Sequence, residues 1–195
     1  MVRNLPCTVI EADEVWNWLG VKRENLDMAK PYRKHGGDIW LWVALCPKTK
    51  LVVAWKLGNR GTVSAKAFMD DLKSRLKHRI QLSTDGHDAY LEAVEHSFGK
   101  DIDYARKVRL TDPVTKRSWH VVQVVSGNPD PAHIGTSYVE RFNATLRNIC
   151  RRYFRRTMCF SKNLDLHEYA VALTMYAYNF CRIHGTLKVT PAMEA

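Results

Sequence analysis

Three carboxylates stand where the surrounding residues could put them to chemical use. Asp13 lies in Ile10-Glu-Ala-Asp-Glu-Val-Trp16, Asp85 in Leu82-Ser-Thr-Asp-Gly-His-Asp88, and Glu140 in Ser137-Tyr-Val-Glu-Arg-Phe-Asn143. Carboxylates gathered in one place repel, and one takes up a proton unless a cation neutralises the set. Hard oxygen donors of this kind suit Mg²⁺ or Mn²⁺. Two such ions can activate an attacking oxygen and stabilise a leaving one in an in-line displacement. Each position also admits a plainer reading. Asp13 is a strand-end charge with Glu14 an equally acidic neighbour, Asp85 before Gly86 suits a turn or helix cap, and Glu140 follows Ser137 at the capping-box spacing. The combination, together with the helix around Glu140, favours the metal.

That helix is the most informative segment. At 3.6 residues per turn, Asn143, Arg147 and Arg151 share the face of Glu140. Phe142, Leu146, Ile149 and Tyr153 share another face, suited to packing on a sheet. A metal ligand and a phosphate clamp would then lie side by side, because arginine pairs bidentately with phosphate oxygens. Arg141, Arg152, Arg155 and Arg156 extend the basic patch. A solvated basic face explains the arginines equally well but leaves the placement of Glu140 to chance. His87, two residues after Asp85, is a secondary candidate near a metal or phosphate, as is Glu14; a purely structural histidine fits equally.

The elements that must position these groups are legible from periodicity. Residues 8–16 form a β-branched and apolar strand ending in acids, and 39–45 and 51–57 form a strand pair joined by Cys46-Pro-Lys-Thr-Lys50. Residues 62–79 switch to helical spacing. A short strand, 80–83, leads directly into Thr84-Asp85-Gly86; a helix follows over 87–98, with Gly99 placed to end it. Residues 102–110 form another strand, and 137–153 and 164–180 two further helices. This order predicts one α/β domain with a mixed five-stranded sheet flanked by helices. Asp13 and Asp85 are expected at the ends of adjacent strands, the edge where open α/β sheets place ligands. The 164–180 helix reads as core or a dimer contact. Trp40, Trp42 and Trp55 read as core, and Trp16 and Trp18 have the better claim to DNA.

Lys and Arg number 30 against 20 Asp and Glu, a net charge of +10 that favours a polyanionic partner through counterion release. The 5 cysteines are scattered with no Cys-x-x-Cys pair, which argues against a disulfide framework and a structural zinc site. The longest apolar run, 39–46, is too short to cross a bilayer, and acidic residues interrupt any signal segment. A soluble cytoplasmic protein with no membrane partner and no small-molecule substrate is expected. No Gly-rich phosphate loop, Ser/His/Asp set or Cys/His nucleophile pair stands out.

The blocks Asp13-Glu-Val-Trp16, Ser83-Thr-Asp-Gly-His87, Ser126-Gly-Asn-Pro-Asp130, Ser137-Tyr-Val-Glu-Arg-Phe-Asn143 and Asn179-Phe-Cys-Arg-Ile-His184, taken in order, resemble bacterial insertion-sequence transposases of the insertion-sequence-one type. The resemblance extends to Thr190-Pro-Ala-Met193. It implies a DDE catalytic core of the ribonuclease-H-like fold, with Asp13, Asp85 and Glu140 as catalytic and metal-binding triad and two Mg²⁺ or Mn²⁺ ions. It implies DNA contacts by Asn143, Arg147, Arg151 and Arg141, and a homo-oligomer working on element ends and target DNA at the nucleoid. Members usually carry an N-terminal DNA-binding region, whereas this sequence opens almost at the first acidic strand. The expectation is therefore a core lacking that region. An insertion is expected over about 111–128, where Trp119 and Arg117 read as packing rather than as DNA contacts. A ribonuclease-H-like nuclease and a non-catalytic DNA-binding or regulatory fragment are the rival readings.

Overall fold

A run of alternating apolar and acidic residues makes β1 (Val9–Leu19) the central strand, with Ile10 and Ala12 facing one way and Glu11, Asp13 and Val15 the other. The computed structural model describes residues 2–26, 36–154 and 156–195; Arg155 of the basic patch lies outside these. The remaining elements are β2 (Gly37–Leu45), β3 (Val52–Gly58), α1 (Thr62–Arg75), β4 (Gln81–Asp85), α2 (Ala89–Phe98), β5 (Asp103–Thr111), β6 (Ser118–Ser126), α3 (Ser137–Ile149), α4 (Leu164–Tyr176) and α5 (Pro191–Glu194). Strand order is β3-β2-β1-β4-β5-β6. β1, β2 and β3 form an antiparallel meander, β1–β4 and β4–β5 pair in parallel, and β5–β6 is antiparallel.

The sheet thus has one strand more than expected. The extra strand is β6, which pairs with β5 over Thr111↔Ser118 to Tyr104↔Ser126. It falls within the segment expected as an insertion. β5 outruns β4, which ends at Asp85 opposite Lys107, so the far halves of β5 and β6 project beyond the sheet as a two-stranded ribbon. Trp119, expected to pack, is 48 % exposed there. The chain returns through Gly127, whose φ of 67° and close approach to Asp103 admit no side chain. Two clamps hold this return. Asp103 accepts from Arg79 and from the Asn128 amide at 2.8 Å, and the Gln81 side chain pairs with both backbone groups of Asp130.

Two apolar cores lie on opposite faces of the sheet. α1 and α2 cover Ile10, Ala12, Trp42, Ala44 and Leu82 with Phe68, Met69, Leu72, Tyr90 and Ala93. α3 and α4 cover Val15, Leu41, Val43 and Leu45 with Val139, Phe142, Leu146, Val171 and Met175. Trp42 is fully buried as expected, while Trp18, given a claim to DNA contact, is buried as well. α4 buries only His167, Val171 and Met175, leaving Leu166, Tyr169, Leu173 and Tyr176 exposed as an apolar stripe. No helix is long and apolar enough to cross a membrane, among the described residues.

The C-terminal segment ties into the edge of the sheet through one side chain. The π-helical turn Ala177–Cys181 presents buried Asn179, whose Oδ1 accepts from the Val52 amide at 3.0 Å and whose Nδ2 donates to the Val52 carbonyl at 2.9 Å. The amide side chain completes backbone pairing where the β2–β3 ladder shifts register at Ala44/Leu45. Asn179→Ala strands two buried backbone groups and is expected to cost about 2–4 kcal/mol. Chemical denaturation measures this, and a loss below about 0.5 kcal/mol would contradict the assignment.

Candidate active site

Parallel pairing sets Ala12 opposite Thr84, so Asp13 and Asp85 are the next residues along neighbouring strands. Both share the face covered by α3. Asp13 lies in mid-strand rather than at the end of β1, as the sequence suggested; it is β4 that ends there. Asp13, Glu14 and Asp85 each offer a carboxylate oxygen within 4.8 Å of the others, a set able to hold a cation.

The three differ in how their charge is met. Glu14 points to the opposite face, where its side chain is 1 % exposed and Arg60 binds it through Nη2 at 2.6 Å. Arg60 Nε donates to the same oxygen at 2.8 Å, and the Tyr90 hydroxyl donates to the other at 3.2 Å. Asp13 receives a neutral partner, the Asn143 amide at 2.7 Å. Burial, reinforced by the charges of Glu14, Asp85 and Glu140, pushes its carboxyl up to about 7. Burial and Asp85 also raise Glu14, against the pull of Arg60. The cluster therefore carries more negative charge than its surroundings neutralise, which is the condition a divalent cation satisfies.

Glu140 reaches this neighbourhood because Glu11 anchors α3. Glu11 is 3 % exposed and its Oε2 accepts from the backbone amides of Tyr138 and Val139, at 2.7 and 2.9 Å. Amides of a first helical turn lack intrahelical partners, and the helix dipole favours an anion there. Burial nonetheless holds the Glu11 carboxyl above the usual range. Glu140 is exposed, accepts from the Thr136 hydroxyl at 2.6 Å, and stands outside the tight carboxylate group. With Asp85 it lines a cleft of about 410 Å³ whose other walls include Arg60, His87, Lys107, Arg109 and His120.

The remaining expected residues are distributed more widely. Asn143 is 4 % exposed and turned onto Asp13, and its buried Oδ1 has no hydrogen-bond partner among the described residues. Arg147 is half-buried; Arg151 is exposed but lies past the end of α3, in a 3-10 turn at Arg151–Tyr153. Arg141 is exposed on a neighbouring pocket. The His87 ring stacks on Trp42 with centroids 5.8 Å apart and its Nε2 lies 3.0 Å from the Arg60 carbonyl, while its amide donates to Asp85. Sequence reasoning overlooked Glu11, Arg60, Lys107 and Arg109. Strand alternation carried a signal for three: Glu11 shares a face with Asp13, and Lys107 with Arg109. Arg60 sits in a loop and carried none.

No family model matches the sequence. The protein InsB of insertion element iso-IS1n from Shigella dysenteriae is 24 % identical over 172 residues, which span 88 % of this chain and 97 % of that protein. The sequence is a distant homologue of InsB. Among solved structures, the HTLV-2 integrase catalytic core domain in complex with magnesium superposes with a TM-score of 0.58 at 15 % identity, covering 98 % of this chain and 97 % of that one. The BIV integrase catalytic core domain gives 0.51 at 15 % identity, covering 96 % and 92 %. The fold is that of these ribonuclease-H-like cores.

The raised Asp13 carboxyl has a consequence for stability without divalent ions. The folded state holds this proton more tightly than the unfolded chain, whose value is about 3.8. The stabilisation is complete below about pH 4 and is lost as pH rises through about 7. Melting temperature in chelator is expected to fall across this window, and Asp13→Asn to flatten the slope. Identical slopes for the parent and Asp13→Asn would exclude Asp13 as the titrating group.

Proposed function

We propose that this protein is the catalytic core of a DNA transposase, with Asp13, Asp85 and Glu140 as the carboxylates that hold its divalent metal. The observation that carries this reading is the parallel register setting Asp13 beside Asp85 in a partly buried, under-neutralised acidic cluster. Distant homology to an insertion-element protein supports it. So does the likeness of fold to an integrase core solved with magnesium. Glu14 is the less suitable ligand, because Arg60 and Tyr90 already occupy its oxygens.

Asp13, Asp85 and Glu140 would hold Mg²⁺ or Mn²⁺, two ions in this reading. When bound, these ions supply Lewis acidity at the phosphodiester and lower the cost of deprotonating the attacking oxygen. The chain's own groups do the positioning. Asn143 fixes the orientation of Asp13, Thr136 holds Glu140, and the Glu14 carboxylate holds Arg60 at the cleft wall. Arg60, Lys107 and Arg109 receive phosphate oxygens along that wall. Water attacks a phosphodiester at the element end and frees a 3′-hydroxyl. That hydroxyl then attacks a phosphodiester of the target, joining the strands with release of a second 3′-hydroxyl. The protein forms no covalent bond to DNA and contributes orientation and charge stabilisation. The exposed stripe on α4 is where a second copy would seat, and the setting is bacterial DNA inside the cell.

Purified protein, Mg²⁺ or Mn²⁺ and a labelled duplex ending in a free 3′-hydroxyl test this. Cleavage and joining are expected in the parent, with both reduced by about a thousandfold or more in Asp85→Ala, roughly 4 kcal/mol of barrier. Equal activity in Asp85→Ala would overturn the site. Cleavage without joining would instead identify a ribonuclease-H-like nuclease, and DNA binding without metal-dependent cleavage a non-catalytic module.

A further inference from the structure

A second basic pocket lies beside the carboxylate cleft, on the adjoining flank of α3. It encloses about 450 Å³ and is lined by Lys50, Arg141, Arg182 and His184, with the hydroxyl-bearing Thr145 and Thr186 at its walls and no carboxylate. Its cations come from three separate parts of the chain: the β2–β3 turn, α3, and the segment after the π-helical turn. None of Lys50, Arg141 and Arg182 forms a salt bridge among the described residues. The acid whose charge acts on Lys50, Glu11, is engaged with the amides of α3.

The cations are also held in place. Lys50 adopts a left-handed backbone, φ 58°, which L-residues avoid. Its ammonium lies 3.6 Å from the centroid of the Tyr138 ring. His184 is fixed by backbone pairing with Val189 and Lys188, at 2.9 Å each. Its Nδ1 accepts from the Thr186 amide at 3.3 Å, which leaves Nε2 as the nitrogen that carries hydrogen and can donate. Burial, Lys50 and Arg182 all disfavour a charge on His184, as expected of a site with surplus positive potential.

We propose that Lys50, Arg141, Arg182 and His184 form a binding pocket for a backbone phosphate of the DNA on which the neighbouring carboxylates act. Converging cations, the Thr186 hydroxyl and a neutral imidazole donor without any acid match a phosphodiester, which offers several acceptor oxygens and one negative charge. Arg141 directly follows Glu140, so about 100° of helix rotation separates the pocket from the cleft. A strand engaged at Glu140 meets the pocket on crossing α3. This assignment rests on the transposase reading for the identity of its ligand, and it gives a function to the Asn179–His184 block.

Fluorescence anisotropy of a labelled duplex, without divalent ions and over a range of NaCl, tests it on the full chain. Each phosphate contact contributes about 0.9 to the slope of log affinity against log salt. Arg141→Gln with Arg182→Gln is expected to lower the slope by about 0.9, the contribution of one phosphate, and to weaken binding several-fold or more at moderate salt. Lys77→Gln with Lys100→Gln removes the same charge from the segments that follow α1 and α2, the helices on the opposite face of the sheet, and should leave the slope unchanged. Melting temperatures establish that both double variants fold. Equal slopes for the two double variants would overturn the proposal. Stabilisation of the parent by inorganic phosphate, lost in Arg141→Gln with Arg182→Gln but with no change of DNA slope, would also overturn it and assign the pocket to a free anion. Metal-dependent cleavage by the same parent preparation separates the two readings. A pocket-specific slope change without cleavage removes the transposase reading and leaves a DNA-phosphate pocket, whereas cleavage with unchanged slopes removes only the pocket.

Discussion

The buried carboxylate of Glu11 holds the two halves of the site together. It belongs to the central strand, two residues before Asp13 and on the same face, and it takes the first free amides of α3. A strand and a helix far apart in sequence are thereby joined by charge-assisted hydrogen bonds in a setting where water does not compete. From that anchor the helix geometry follows. Asn143 comes to Asp13, Glu140 comes to the cleft, and Phe142 and Leu146 come to the apolar face of β1 and β2. Apolar packing alone would tolerate small slides of α3 along the sheet. Two directional bonds to one carboxylate do not.

Around this anchor the molecule accumulates negative charge and compensates it unevenly. Glu14 has Arg60, whose guanidinium also lies 4.6 Å from the Trp40 ring centroid, so that arginine is ordered by an acid and an aromatic face together. Among the described residues, Asp13 and Asp85 have no such cation. The unequal treatment separates two neighbouring acids in role: one is structural and one remains available. Farther out the balance reverses, with Lys107, Arg109, Lys50, Arg141 and Arg182 open to solvent on either side of the acids. A narrow negative centre between positive flanks suits a polyanion that brings its own charge and a divalent ion that neutralises the middle.

Much of this was legible in the sequence because it depends on local periodicity. Alternation located β1, β2 and β3, the helical period located α1 and α3, and Asp85 ahead of Gly86 marked the end of β4. What the sequence concealed depends on distant partners. Asn143 carries an exposed-face signature by helical arithmetic, yet it is buried because β1 lies against that face and Asp13 needs a donor. β6 falls in the stretch expected as an insertion and was not counted in the sheet: nearly all of its residues are exposed, and its order comes from backbone pairing to β5 rather than from burial. Glu11 looked like one more acid in an acidic run. Its role appears only once the amides of α3 are seen to need it.

The order of pairing in the sheet also bears on how the protein reaches its native state. β1, β2 and β3 follow one another in sequence and in space as a meander, and β2 and β3 are joined by a short turn. Pairing β1 with β4 in parallel requires closure across that meander and α1, which is slower because chain entropy is lost before contacts repay it. Asp13 and Asp85 meet only through that closure, and α3 reaches both from still farther along the chain. The complete site therefore depends on closures of increasing sequence separation, of which the docking of α3 spans the longest stretch of chain.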